Sequence, residues 1–109
     1  MHLNEEILSI SAIKKTVSTY FQRHAVEKVY LFGSYAYGLQ TGKSDIDLIV
    51  CPDYQQKKAT EFHQWHADLE MLFQKKVDLI INFSNDEAGR NFRFRRKIIR
   101  ERIMLYEKS

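Results

Sequence analysis

Cysteine and proline each occur once in the 109 residues, and glycine only four times. A lone thiol, Cys51, can form no internal disulfide, and it follows an apolar run without a thiol partner, so it reads as a small packed side chain with no assigned role. Scarce Gly and Pro, with 44% hydrophobic residues, exclude a low-complexity chain and supply apolar surface for a single core. No apolar run approaches the roughly 20 residues that span a bilayer. The start, MHLNEEILSI, has acids where a secretory leader has a basic region. Repeats and linkers are missing too, so the expectation is one cytoplasmic domain over residues 1–109, with no membrane segment.

What is present centres on residues 31–50, LFGSYAYGLQTGKSDIDLIV. Lys28 to Phe32 and Asp45 to Val50 are short and rich in β-branched and aromatic residues, which predicts two strands. Strand geometry puts Asp45, Asp47 and Ile49 on one face and Ile46, Leu48 and Val50 on the other, with the carboxylates roughly 6 to 7 Å apart. Turn chemistry accounts for Gly42 and Ser44. It does not account for Asp47, a charge inside an apolar run, because carboxylates withdrawn from water need pairing or coordination. Magnesium suits them: it takes oxygen ligands and sits on one or two carboxylates plus substrate phosphates. Upstream, Gly33 lets backbone approach a ligand closely, and the Ser34 hydroxyl and the turn N–H groups can donate to phosphate oxygens.

Elsewhere the pattern is architectural. Asn4 to about Arg23 predicts a helix capped by Asn4, with Leu3, Ile7, Ile10, Ile13, Val17, Tyr20 and Phe21 on one broad face. Pro52 closes the second strand. A helix from about Thr60 to Gln74 follows, packing through Phe62, Trp65, Leu69, Leu72 and Phe73, and then a third strand, Lys76 to Ile81. The crossover makes the second and third strands parallel, so Asp47 and Asp78 fall at corresponding levels. His63 and His66 lack the further ligands of a zinc site and read as packing or surface residues. Residues 84–87, SNDE, resemble a capping box that opens a last helix to about Glu107. That helix would carry Phe92, Ile99, Ile103 and Tyr106 on one face, Phe94, Ile98 and Leu105 on the opposite one, and Arg93, Arg96, Lys97 and Arg100 between. Two apolar faces suggest burial against another chain, either a second copy, giving a homo-oligomer through this helix, or a different protein. The basic stripe admits a nucleic-acid reading. A net charge of +3 and glutamates at 87, 101 and 107 argue against it.

The GS pair, ten residues and then DID resembles the signature of the DNA polymerase β-like nucleotidyltransferase superfamily, and the short chain resembles its minimal nucleotidyltransferase branch. The resemblance runs from the first helix to the last. It implies an α/β (α+β) nucleotidyltransferase fold, a small mixed three-stranded sheet packed with about four helices. It also implies a third carboxylate at Asp78, two magnesium ions held by Asp45, Asp47 and Asp78, and ATP or another NTP as substrate, gripped by Gly33 and Ser34. Many relatives carry Arg at one or both of the positions that Tyr35 and Tyr37 occupy in this chain, which leaves Lys43 as the nearest cation in sequence for the nucleotide. Minimal members resemble the antitoxin halves of HEPN/MNT toxin–antitoxin pairs, which attach AMP to a tyrosine of the toxin. The expected activity is therefore transfer of NMP, AMP above all, to a hydroxyl on a HEPN-domain partner encoded nearby. A non-catalytic nucleotide- or partner-binding subunit and a nucleic-acid-binding protein are the alternatives.

Overall fold

The computed structural model describes residues 5–53, 61–81 and 101–108. Helix α1 is Ile10–Phe21, shorter at its start than the apolar pattern predicts. Ser9 is the N-cap and its side chain accepts from the Ala12 N–H at 3.0 Å, which satisfies one of the open amides of the first turn. The expected cap, Asn4, lies outside the described residues. The i, i+4 series Ile13, Val17 and Phe21 is buried, whereas Ile7 and Ile10, which the longer helix would have packed, are exposed. Ile7 lies ahead of the cap and so off the helical stripe, while Ile10 is the first helical residue and stays exposed.

Strand β1 (Val26–Phe32) leads through the one-turn helix α2 (Ser34–Tyr37) to β2 (Ile46–Pro52). Helix α3 (Phe62–Phe73) then crosses to β3 (Val77–Ile81), and β4 (Ile103–Glu107) completes a sheet of order β3-β2-β1-β4. β1 is antiparallel to β2 and β4, and β2 is parallel to β3, as the crossover requires. The sheet has four strands, one more than expected, and the described residues contain three helices.

The extra strand corrects the reading of the C-terminal end. Residues 103–107, assigned to a long last helix, pair with Lys28–Leu31 of β1. IMLYE alternates as well as it turns, and an open sheet edge decides between the two periods. Leu105, placed on a stripe for another chain, is 1% exposed in this chain's own core. The expectation of a partner or a second copy held through Leu105 is withdrawn. Phe94, Ile98 and the basic stripe lie outside the described residues.

The main core fills one face of the sheet. Ile13, Val17 and Phe21 of α1 and Trp65, Leu69 and Phe73 of α3 meet Val29, Leu31, Leu48, Val50 and Leu105. Trp65 is buried and its Nε1–H donates to His24 Nδ1 at 3.3 Å, so it is a core residue. Leu72, expected on the same packing face, is 56% exposed. His66 Nε2 lies 2.8 Å from the Val77 carbonyl oxygen, and Glu70 Oε2 accepts from the Val77 N–H at 3.0 Å. These α3 side chains satisfy the open side of edge strand β3, which accounts for His66 without a metal. No helix among the described residues is long and apolar enough to cross a membrane.

If β4 completes the core, Leu105→Ala should lower the stability of the isolated chain by about 2–5 kcal/mol in urea denaturation, independently of protein concentration. An unchanged midpoint would remove β4 from the core.

Candidate active site

The opposite face of the sheet carries the acids. Across β1, β2 and β3 the register aligns Phe32 with Asp47 and Asp47 with Asp78, and one pleat further on Tyr30 with Ile49 and Ile49 with Ile80. Residues directly opposite share a face, so Asp47 and Asp78 lie side by side, bordered by the small apolar cluster of Tyr30, Phe32 and Ile49. The parallel β2–β3 pairing places them at the same level. Asp45, expected to begin the strand, is the residue just before β2 and is presented by a loop.

Gly33 fixes the other wall. Its φ is +73°, a region that side chains avoid, and a Cβ there would run into the Asp47 carboxylate, 2.9 Å from its Cγ. The glycine therefore makes room for Asp47 itself. Ser34 follows as the first residue of α2, whose turn closes through Ala36 and Tyr37 N–H groups on the Gly33 carbonyl at 3.0 and 3.1 Å. Gly38, φ +75°, ends that turn in the left-handed conformation. The sequence pair Gly-Ser is thus set beside the strand that holds Asp47.

Electrostatics binds the three acids into one unit. Asp47's pKa is pushed up to about 6, first by burial and then by the negative charges of Asp78 and Asp45. A hard divalent cation would relieve that repulsion, and carboxylate oxygens are ligands it prefers, so Asp45, Asp47 and Asp78 fit magnesium chemically. Among the described residues no three His, Cys, Asp or Glu side chains are already arranged as a metal site. The backbone brings the donors together, while the closing of a coordination sphere is left to their side chains.

The remaining candidates separate. Lys43 lines a cavity of about 230 Å³ with Glu5, Gly42, Ser44, Asp45, Lys75 and Lys76, so it does stand beside an acid of the site. Tyr35 does not: it is fully buried, and its hydroxyl accepts from the Leu8 N–H at 3.4 Å. Its side chain belongs to the main core. Tyr37 is half-buried, and its hydroxyl is pushed up by burial, then by the charge of Glu101 and a hydrogen bond to it, and by the charge of Asp47. Glu101 and Lys75 were invisible as site residues in the sequence. The first looked like a break in a basic stripe, and the second was one of two adjacent lysines ahead of a strand, with nothing to tell the buried one from the exposed one.

Two measurements check this geometry. Gly33→Ala should destabilise the fold by about 1–3 kcal/mol in denaturant titration, because it adds both a strained φ and a collision with Asp47. Wild-type stability would mean that the turn and β2 are not packed as described. The second concerns pH. Asp47 binds its proton more tightly folded than unfolded, so its contribution is fully favourable below the unfolded value near 3.8 and is lost as pH rises through about 6. Asp47→Asn should therefore raise the metal-free melting temperature at pH 8 and change it little at pH 4; an equal effect at both would refute the strained-carboxylate assignment.

A model of the family described as "Polymerase beta, Nucleotidyltransferase" matches residues 14–109. "Putative protein adenylyltransferase MJ0128" of Methanocaldococcus jannaschii is 39% identical over 64 residues, which span 55% of this chain and 60% of that protein. "Putative protein adenylyltransferase MJ0435" of the same organism is 30% identical over 73 residues, 67% of this chain and 77% of that one. Among solved structures, one described as a toxin-antitoxin with AMP-PNP superposes with a TM-score of 0.61 at 21% identity, covering 94% of this chain and 76% of the other, a likeness of fold. With Gly33-Ser34 set against Asp47, Asp78 beside it, and nearly the whole chain matched, this protein belongs to the polymerase β nucleotidyltransferase family.

Proposed function

We propose that this protein is a magnesium-dependent cytoplasmic nucleotidyltransferase that moves AMP from ATP to a hydroxyl on a partner protein, in the manner of an antitoxin. The observation that carries the reading is the placement of Asp47 level with Asp78 on parallel strands, against the Gly33 turn and under the charge of Asp45. Family membership supports nucleotidyl transfer. Relatives named as protein adenylyltransferases support a protein acceptor, and the toxin-antitoxin neighbour with AMP-PNP supports both the nucleotide and a toxin as partner. The resemblance to HEPN/MNT pairs names a HEPN-domain protein encoded nearby.

In this mechanism Asp45, Asp47 and Asp78 would hold two magnesium ions. Magnesium, when bound, supplies Lewis acidity and neutralises charge on the phosphates. Ser34 Oγ–H and the N–H groups at the start of the turn donate to the leaving phosphates, with Lys43 close enough to add a positive charge. The acceptor oxygen forms a bond to the α-phosphorus in line as the bond from that phosphorus to the bridging oxygen breaks. Pyrophosphate departs, and the hydroxyl proton passes to Asp78 directly or through water. The burial of Tyr35 leaves the triphosphate without a family cation, which favours, as the second reading, a subunit that binds nucleotide without turnover.

Co-expression with the neighbouring gene product followed by intact mass spectrometry separates the two. The partner should gain mass in multiples of one AMP unit. Asp47→Asn should reduce that transfer by about a hundredfold or more while leaving the protein folded, and Ser34→Ala by about tenfold at most, since one donor of several is lost. No added mass, or mass that persists when Asp45 and Asp47 are both replaced, would reject the transferase reading.

A further inference from the structure

Among the described residues Lys75 is the one buried charged side chain, 3% exposed. Withdrawing an ammonium from water is costly unless it is hydrogen-bonded, so a buried lysine needs a reason that an exposed one does not. Its Nζ donates to the Gly42 carbonyl at 3.0 Å, a contact between residues 33 positions apart. The next residue along, Lys76, is exposed, and its carbonyl accepts from the Ile46 N–H at 3.0 Å. Residues 75 and 76 therefore grip the chain at Gly42 and again at Ile46. Between those grips lie only Lys43, Ser44 and Asp45.

The gripped segment has little freedom of its own. Thr41 N–H donates to Ser44 Oγ at 2.8 Å, Ser44 N–H to the Thr41 carbonyl at 3.1 Å, and Lys43 N–H to Thr41 Oγ1 at 3.2 Å. Gly42 is packed so tightly on the Glu5 backbone that a Cβ would come within 3.0 Å of the Glu5 carbonyl carbon. Asp45 itself is exposed, and no hydrogen bond to a described residue holds its carboxylate, so its place is set by the backbone that carries it. Asp47 and Asp78 need no such help, because the β2–β3 ladder fixes them. Lys75 stands three residues ahead of Asp78, and its tether spans from the segment leading into the strand that bears one acid to the loop bearing another.

We propose that Lys75 is a positioning residue: by holding the Gly42 carbonyl it sets Asp45 in place relative to Asp47 and Asp78, and so completes a divalent-cation site that the sheet alone would leave with two fixed carboxylates. This rests on the metal reading above. A lysine serves because its long stem can be buried while its head supplies the donor at the far end.

The test compares wild type, Lys75→Met and Asp45→Asn in two measurements on the full chain: Mn²⁺ binding by electron paramagnetic resonance, without nucleotide, and amide hydrogen exchange by NMR. Lys75→Met should weaken Mn²⁺ binding about tenfold, toward the level of Asp45→Asn, as loss of a group that orients a ligand does. Amides 43–45 should exchange faster while those of Asp47 and Leu48 keep wild-type protection. Mn²⁺ affinity within about twofold of wild type, or loosening of β2 equal to that of the loop, overturns the proposal. Should Lys75→Met fail to melt cooperatively, Lys75→Leu, which likewise removes the donor, is measured in its place against the same outcomes. If wild type itself does not bind Mn²⁺, the metal reading fails, and unchanged loop exchange would then separately dismiss the tether.

Discussion

A carboxylate pressed between an apolar sheet and a glycine is the constraint on which this structure depends. Asp47 has Phe32 on one side in the ladder, Asp78 on the other and the Gly33 backbone against its oxygens. Burial, followed by the charges of Asp78 and Asp45, makes the charge hard to hold and pushes its pKa up to about 6. Nothing in packing alone rewards such an arrangement. A cation does, which is why the fold's least comfortable residue is also the best indication of its chemistry. The cost is accepted because the rest of the sheet is covered: α1 and α3 bury the other face with an ordinary apolar core.

The division of labour between the two faces explains how a short chain can carry a site. Stability resides with Ile13, Val17, Phe21, Trp65, Leu69 and the inward residues of the strands, all on the helical side. The acids occupy one end of the other side, where β2 and β3 both begin. Parallel pairing is what brings two strand beginnings together, and it requires a crossover element such as α3. Side chains of α3, His66 and Glu70, then close the open edge of β3, and the segment just after that helix supplies Lys75 and Lys76 to the loop ahead of β2. The same crossover thus builds the core, seals the edge and braces the site.

Local rules made part of this legible. Strand periodicity put Asp47 and Asp78 on matching faces, crossover geometry put them level, and the Gly-Ser pair marked the turn, because alternation, handedness and φ are properties of a few consecutive residues. The boundaries of α1 and the fate of Leu72 were less readable, since an apolar residue declares only that it prefers to be out of water, and whether a neighbour arrives to cover it is not written nearby. Residues 103–107 show the limit plainly. Their pattern suits either period, and β1's free edge, some 70 positions earlier in the chain, selected the strand.

The sequence by itself determined the chemistry on offer: three aspartates, a glycine that can take positive φ, a serine beside it and an apolar pattern that puts Asp47 and Asp78 on one face. Only the tertiary structure decided which groups serve it. It turned Tyr35 inward to Leu8 and so removed it from any nucleotide. It brought Tyr37 within electrostatic reach of both Glu101 and Asp47, and it chose Lys75 over Lys76 for burial against Gly42. The reason is physical: the identity of a side chain limits which interactions it can make, but partners separated by tens of residues meet only when the sheet and its crossover have folded, and burial, which sets the strength of every charge here, exists only then.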